Sequence, residues 1–156
     1  MKHLYWCSLL LLTALPALAC SYDGQFNNPF NQAYNGSLRV ALATNQAITN
    51  QKFIAAKPLT GPAGLQRAQW LLKQVIPQLN SLFPQPIDVL LIDKKLWAQV
   101  RIEQEKPALT LHTASATGEY PVVLMSEATL IALSKKQITL GQASELGILT
   151  LQPASQ

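Results

Sequence analysis

A chain of 156 residues with a formal charge of +4 and only 13% charged residues is long enough for one ordinary domain with a real core. Its low charge argues against a long disordered tail. Its cations are scattered, with only Lys94-Lys95 and Lys135-Lys136 adjacent, which argues against the clustered basic face of a nucleic-acid binder. There is no internal repeat and no acidic or basic block.

The chain opens with Met1-Lys2-His3, a short positive segment, followed by residues 4–12, which are apolar apart from Ser8. Pro16 stops any helix there, and Ala17-Leu18-Ala19 puts small residues at the two positions a signal peptidase inspects. This three-part order reads as a secretory signal peptide over residues 1–19. The apolar run is shorter than the roughly 20 residues of a spanning helix. The mature chain is then expected to begin at Cys20, outside the cytoplasm, in the bacterial periplasm or on the outer membrane.

Two readings of Cys20 stay open. Ala17-Leu18-Ala19-Cys20 is similar to a bacterial lipobox, which implies lipidation of Cys20; alternatively, ordinary cleavage leaves a free N-terminal thiol. The chemistry favours lipidation. Cys7 departs with the signal, and an unpaired thiol in an oxidising compartment is a liability unless modified, paired or metal-bound.

Residues 20–37 form an arm rich in Asn, Gln and Gly that carries Tyr22, Phe26, Phe30 and Tyr34. Its Asn, Gly and Pro content forbids long regular structure. The aromatics suit packing on the domain surface or docking on a partner. A single domain is expected over residues 38–156.

Residues 38–56 read as a helix, with Leu38, Ala41, Leu42 and Ile48 at helical spacing and Ser37 as its N-cap. Residues 57–64, with two prolines and two glycines, read as a loop. A clearer helix spans residues 65–80, its stripe formed by Leu65, Ala68, Leu72, Val75 or Ile76, and Leu79, widened by Trp70 and Leu71. Pro77 should kink or end it. The short joining loop suggests an antiparallel helix pair.

Residues 87–92 are an apolar, β-branched run and read as a strand. Residues 96–102 alternate, with Leu96, Ala98, Val100 and Ile102 on one side and Trp97, Gln99 and Arg101 on the other, the mark of a half-buried strand. Asp93-Lys94-Lys95 makes the turn of a hairpin between them. Residues 108–113 form another strand, Gly118 a turn, and residues 121–125 a further short strand.

The last third carries the sharpest local pattern. Ser126 caps a helix over 127–136, Glu127 adds favourable charge to its first turn, Leu130, Ile131 and Leu133 form its buried face, and Lys135 and Lys136 suit its C-terminal end. Thr139 and Gln142 form a capping box, Gly147 ends that short helix at C′, and residues 148–151 close the sheet. The fold class expected is α+β, a mixed or antiparallel sheet of about five strands layered with helices.

The run VVLMSEATLIALSKKQITLGQASELGILTLQ resembles the C-terminal half of sterol carrier protein 2-like domains. The shared features are an apolar strand entering a Ser-capped helix, a Thr-started helix containing Gln-Ala, then Gly and an apolar strand. The resemblance is strongest over residues 121–151 and extends loosely back to residue 87. It implies a helix-layered sheet enclosing an apolar tunnel for a lipid or another hydrophobic ligand. The candidate lining is Val123, Met125, Leu130, Leu133, Ile138 and Leu140, residues that plain hydrophobic core would equally explain.

No catalytic constellation is visible, and an enzyme is not expected. His112, the one histidine of the mature chain, lies on the strand face opposite Leu109 and Leu111 and reads as a surface residue. Cys20 and His112 alone do not make a metal site. Asp88 and Asp93 flank a strand without a visible partner, and Glu103 and Glu105, which share a face with Arg101 and Lys106 nearby, read as solvated. The function expected is an exported, non-enzymatic binding module for an apolar or amphipathic, lipid-like ligand, with no cofactor. The alternative is an envelope interaction factor docking a protein partner through residues 20–37. A third reading, thiol or metal handling by a free Cys20, is weaker. Neither nucleic acid nor membrane is an expected partner, save through a lipid anchor on Cys20.

Overall fold

A computed structural model describes residues 34–104, 106–113 and 118–154. In chain order the elements are α1 (Ser37–Thr49), α2 (Gly61–Leu82), β1 (Ile87–Leu91), β2 (Leu96–Glu103), β3 (Lys106–Leu111), β4 (Val122–Met125), α3 (Glu127–Ser134), α4 (Leu140–Glu145) and β5 (Leu149–Gln152). The five strands form one mixed sheet in the order β3-β2-β1-β4-β5. The β1–β4 pair is parallel and the others are antiparallel. The fold is α+β, as the order of elements implies.

Strand alternation divides the core into two clusters. On one face Ile87, Val89 and Leu91 meet Val123 and Met125, and α2 and α3 cover them. On the other face Leu90, Trp97, Val122 and Leu124 pack beneath Val40 of α1. Every residue of β1 and β4 is buried, because a strand covered on both sides has no solvent face.

Helix α1 departs from the expected pattern. It ends at Thr49, and its buried side is Val40, Thr44 and Ala47, whereas Leu38 and Leu42 are 72% and 62% exposed. Helical spacing marks a stripe but does not say which stripe meets the sheet. The smaller Val40-Thr44-Ala47 stripe lets α1 approach β4 closely, and the Thr44 hydroxyl donates to the Val40 carbonyl at 2.8 Å, so its burial leaves no orphan. The N-cap is Gly36, not Ser37. Gly36 has φ 87°, and a Cβ there would lie 3.0 Å from Gln152 Nε2 and 3.3 Å from Leu124 Cδ1. Conformation and space both require glycine.

Helix α2 starts within the expected loop, at Gly61, with Pro62 in its first turn, where the missing N–H of proline costs nothing. It runs through Pro77 to Leu82. Both Pro77 and Lys73, whose carbonyl Pro77 leaves without a donor, face solvent, so water satisfies the gap. Trp70 lies outside the stripe, 59% exposed. The antiparallel helix pair does not form: α1 packs on β4, whereas α2 packs on α3 and β3.

The C-terminal helices follow their local signals. Ser126 Oγ accepts from the Thr129 N–H at 3.1 Å, the Thr139–Gln142 box is complete at 2.9 and 3.2 Å, and Gly147 follows the C-cap with φ 69°. Replacing Ser126→Ala is expected to cost about 1 kcal/mol, measured by urea denaturation, since the Thr129 N–H then loses its partner in a buried setting.

Candidate functional site

The structure buries the tunnel residues. Val123 and Met125 on β4 and Leu130 and Leu133 on α3 are all at most 1% exposed, and Ile138, between α3 and α4, is 7% exposed. All five belong to one core cluster, with Leu140 packed against it. Of the six, only Ile138 borders a described concavity. Cys20, Tyr22, Phe26 and Phe30 lie outside the described residues. Tyr34 of the arm packs edge-on against Trp97, with ring centroids 5.3 Å apart. His112 is exposed as expected, but not on a strand: β3 runs Lys106–Leu111 rather than over 108–113, and His112 follows it in left-handed backbone with φ 54°. Among the described residues no group of three metal-ligating side chains converges, and no helix is long and apolar enough to cross a membrane.

A groove runs along the outer side of α1. Its widest part, about 700 Å³, lies between α1 and Gln152 of β5 and is lined by Leu38, Arg39, Leu42 and Gln46. A second part of about 240 Å³ shares Ala43 and Gln46 and adds Lys52, Glu145 and Leu146. A third, about 270 Å³, shares those last three and ends at Gln137, Ile138 and Gln142. Neighbouring parts share wall residues, and α1 alone is about 20 Å long. Leu38 and Leu42, one turn apart, form an apolar lip. The adjoining edge strand β5, Leu149–Gln152, carries no charge or proline, whereas the opposite edge, β3, is blunted by Lys106 and Pro107.

At the end of the groove the chain leaves α1 as a strap, residues 50–60, that crosses to α2. Phe53 anchors it in the core at 5% exposure, and the neighbouring Ile54 is 79% exposed. Side chains hold its backbone. Gln137 Oε1 accepts from the Ile54 N–H at 3.0 Å. Arg67 Nη1 donates to the Lys57 carbonyl at 3.0 Å. Lys94 Nζ donates to the Leu59 carbonyl.

Both cations converge on Glu127 at the N-terminus of α3. Arg67 Nε lies 2.9 Å from one carboxylate oxygen and Lys94 Nζ 3.0 Å from the other, and the Glu127 side chain is 4% exposed. Asp93 Oδ1 accepts the Glu127 N–H at 2.9 Å. Burial pushes the Glu127 carboxyl upward, but hydrogen bonds and charge from Arg67 and Lys94 outweigh it and hold the group below its ordinary value. Burial dominates at Asp93 and raises it, against hydrogen bonds that include the one from the Glu127 backbone. Sequence reading missed this network. Lys94 looked like a turn residue, and it meets Glu127 only because β1 and β4 run side by side, with Leu91 opposite Met125.

A second network, on the opposite face, corrects the reading of Asp88 as partnerless. Asp88 is 1% exposed, and its Oδ1 lies 2.8 Å from Arg101 Nη2. Arg101 also donates to the carbonyls of Ile87 and Val100 at 2.9 and 3.1 Å and stacks 4.0 Å from the Tyr120 ring centroid. Hairpin geometry could have found this pair. Asp88 faces Gln99 across the ladder, so Arg101 is its diagonal neighbour on the same side. Asp93, likewise read as partnerless, accepts the Glu127 N–H.

Comparison with known proteins adds no relative: no family model, no curated protein and no solved structure matches this chain.

Proposed function

We propose that this chain is an exported, non-enzymatic binding module of the bacterial envelope whose ligand is apolar or amphipathic and lipid-like. The groove along α1 carries this reading. Leu38 and Leu42 stand exposed on its lip, amide and charged side chains line the rest, and its widest part of about 700 Å³ matches the size of small-molecule sites. Such a lining suits a ligand with an acyl portion and a polar end. Export and envelope location rest on residues 1–19, and attachment to a membrane rests on lipidation of Cys20. The resemblance of residues 121–151 to sterol carrier protein 2-like domains points to the same ligand class.

Native mass spectrometry of protein purified from its own envelope is the test. A co-purified lipid is expected, and it should be lost from a Leu38→Asp, Leu42→Asp double variant. Both positions are exposed, so stability should change by no more than about 0.5 kcal/mol per site. Protein without lipid, or lipid retained unchanged by the double variant, would overturn this reading. The intact mass from the same experiment reports whether Cys20 carries a diacylglyceryl group.

A second reading, docking of an envelope protein through residues 20–37, draws on the contact of Tyr34 with Trp97 and on the unblunted edge of β5. Lipid-free protein that co-purifies in stoichiometric complex, and loses its partner when residues 20–33 are removed, would favour it.

A further inference from the structure

We propose that residues 50–60 form a lid between the groove and the core, and that Glu127 is its latch, holding Arg67 and Lys94 against the lid backbone. The lid's use as a gate for ligand rests on the binding reading above. Its latching does not.

Three observations carry the proposal. First, beyond residue 52 the lid is fastened almost wholly by side chains, whereas the N–H groups of residues 50–52 still donate to carbonyls of α1. From residue 53 to residue 60, its one hydrogen bond to another backbone group is the Thr60 carbonyl accepting from the Gly64 N–H at 3.4 Å. Phe53 is its one fully buried side chain, with Ala56 partly buried beside the core. A segment with few buried apolar contacts and few backbone bonds opens at low free energy, independently of the rest of the fold.

Second, two of its three side-chain fasteners depend on one carboxylate. Arg67 and Lys94 reach the lid carbonyls of Lys57 and Leu59 from α2 and from the β1–β2 turn, and each is fixed by a different oxygen of Glu127. Charge-assisted bonds in a buried setting polarise one another and are lost together. The charged groups facing Glu127 are Arg67 from α2 and Asp93 and Lys94 from the turn. The remaining fastener, Gln137, sits in the wall of the groove itself.

Third, both ends of the lid carry left-handed backbone, with φ 54° at Gln51 and 62° at Gly61, and the lid lies directly on α2. A Cβ at Gly64 would collide with the Leu59 carbonyl. Phe53 belongs to the same core cluster as Ile138, which borders the end of the groove, so lifting the lid opens a route from the groove toward that apolar interior.

The experiment is hydrogen exchange read by mass spectrometry on the full mature chain. In Glu127→Gln, the Ile54 amide, whose N–H is held by Gln137, should exchange on the order of tenfold faster as the lid loses its charge-assisted hydrogen bonds, with β1 and β4 unchanged. Gly64→Ala alters no charge yet pushes on the Leu59 carbonyl, and it should open the same segment alone. Acidification of the wild type from pH 7 to below the ordinary carboxylate value, corrected for intrinsic exchange rate, should do likewise, since the Glu127 interaction is present above the unfolded value of 4.5 and is lost as pH falls through its lower folded value. Exchange at Ile54 unchanged in Glu127→Gln, whatever Gly64→Ala does, or raised equally across the whole fold, overturns the latch. Uptake of a fluorescent fatty acid, measured in parallel, separates the two ideas. Faster uptake by Glu127→Gln supports the gate; lid opening without faster uptake overturns it. If neither variant nor wild type takes up the probe, the ligand reading fails, and the exchange data still judge the latch.

Discussion

Arg101→Met is expected to lower the stability of this protein by about 3–5 kcal/mol, the largest loss of any single change considered. Asp88 lies almost wholly out of solvent, at 1% exposure. One of its oxygens depends on Arg101, and the other, Oδ2, finds no hydrogen-bond partner among the described residues. Methionine fills much of the arginine stem's volume but leaves a buried carboxylate with no counter-charge. It also deprives the Ile87 and Val100 carbonyls of their contact with the guanidinium. A domain holding about 5–15 kcal/mol in total loses a large fraction of its stability. The measurement is urea denaturation of the variant beside an Asp88→Leu, Arg101→Met double variant. The double variant should lose markedly less, because an apolar pair in place of a buried ion pair leaves nothing charged behind. Equal losses would mean that the guanidinium acts through packing alone.

The second large effect is expected from Leu130→Ala, at about 2–5 kcal/mol. Leu130 is fully buried on the inner side of α3, facing the β4 layer with Leu133. The side chain gives up both its transfer free energy and the contacts of a close-packed interior. Leu38→Ala, on the 72% exposed lip of the groove, is the control and should stay within about 0.5 kcal/mol. This comparison bears on where a ligand sits. A cost below about 1 kcal/mol at Leu130 would mean that the side chain borders open space with the lid closed. A cost in the expected range assigns it to solid core, so that a ligand reaches that region only by displacing the lid.

Legibility of the sequence depended on how local each signal was. The caps at Ser126 and Thr139 and the stop at Gly147 appear as the residues imply, because each motif is satisfied within a few positions of chain. The β1–β2 hairpin appears in register for the same reason. The long-range elements were harder. Leu38 and Leu42 resembled a buried stripe, yet Val40, Thr44 and Ala47 make the contact. Pro77 resembled a stop, yet its helix continues because the unmade bond faces water. The candidate ligand residues could be listed from apolar pattern alone, but pattern does not distinguish a packed interior from a hollow one.

The residues by themselves determined the type and order of the elements, the capped ends of α3 and α4, and the five-stranded α+β class, since these follow from propensity, periodicity and capping over short stretches. Only the tertiary structure decided which side of α1 meets β4, that Glu127 gathers Arg67 and Lys94 beneath the strap, and that Arg101 neutralises Asp88. Such contacts depend on the pairing of β1 with β4 and on the distances it sets between segments far apart in the chain, and no local pattern encodes a distance.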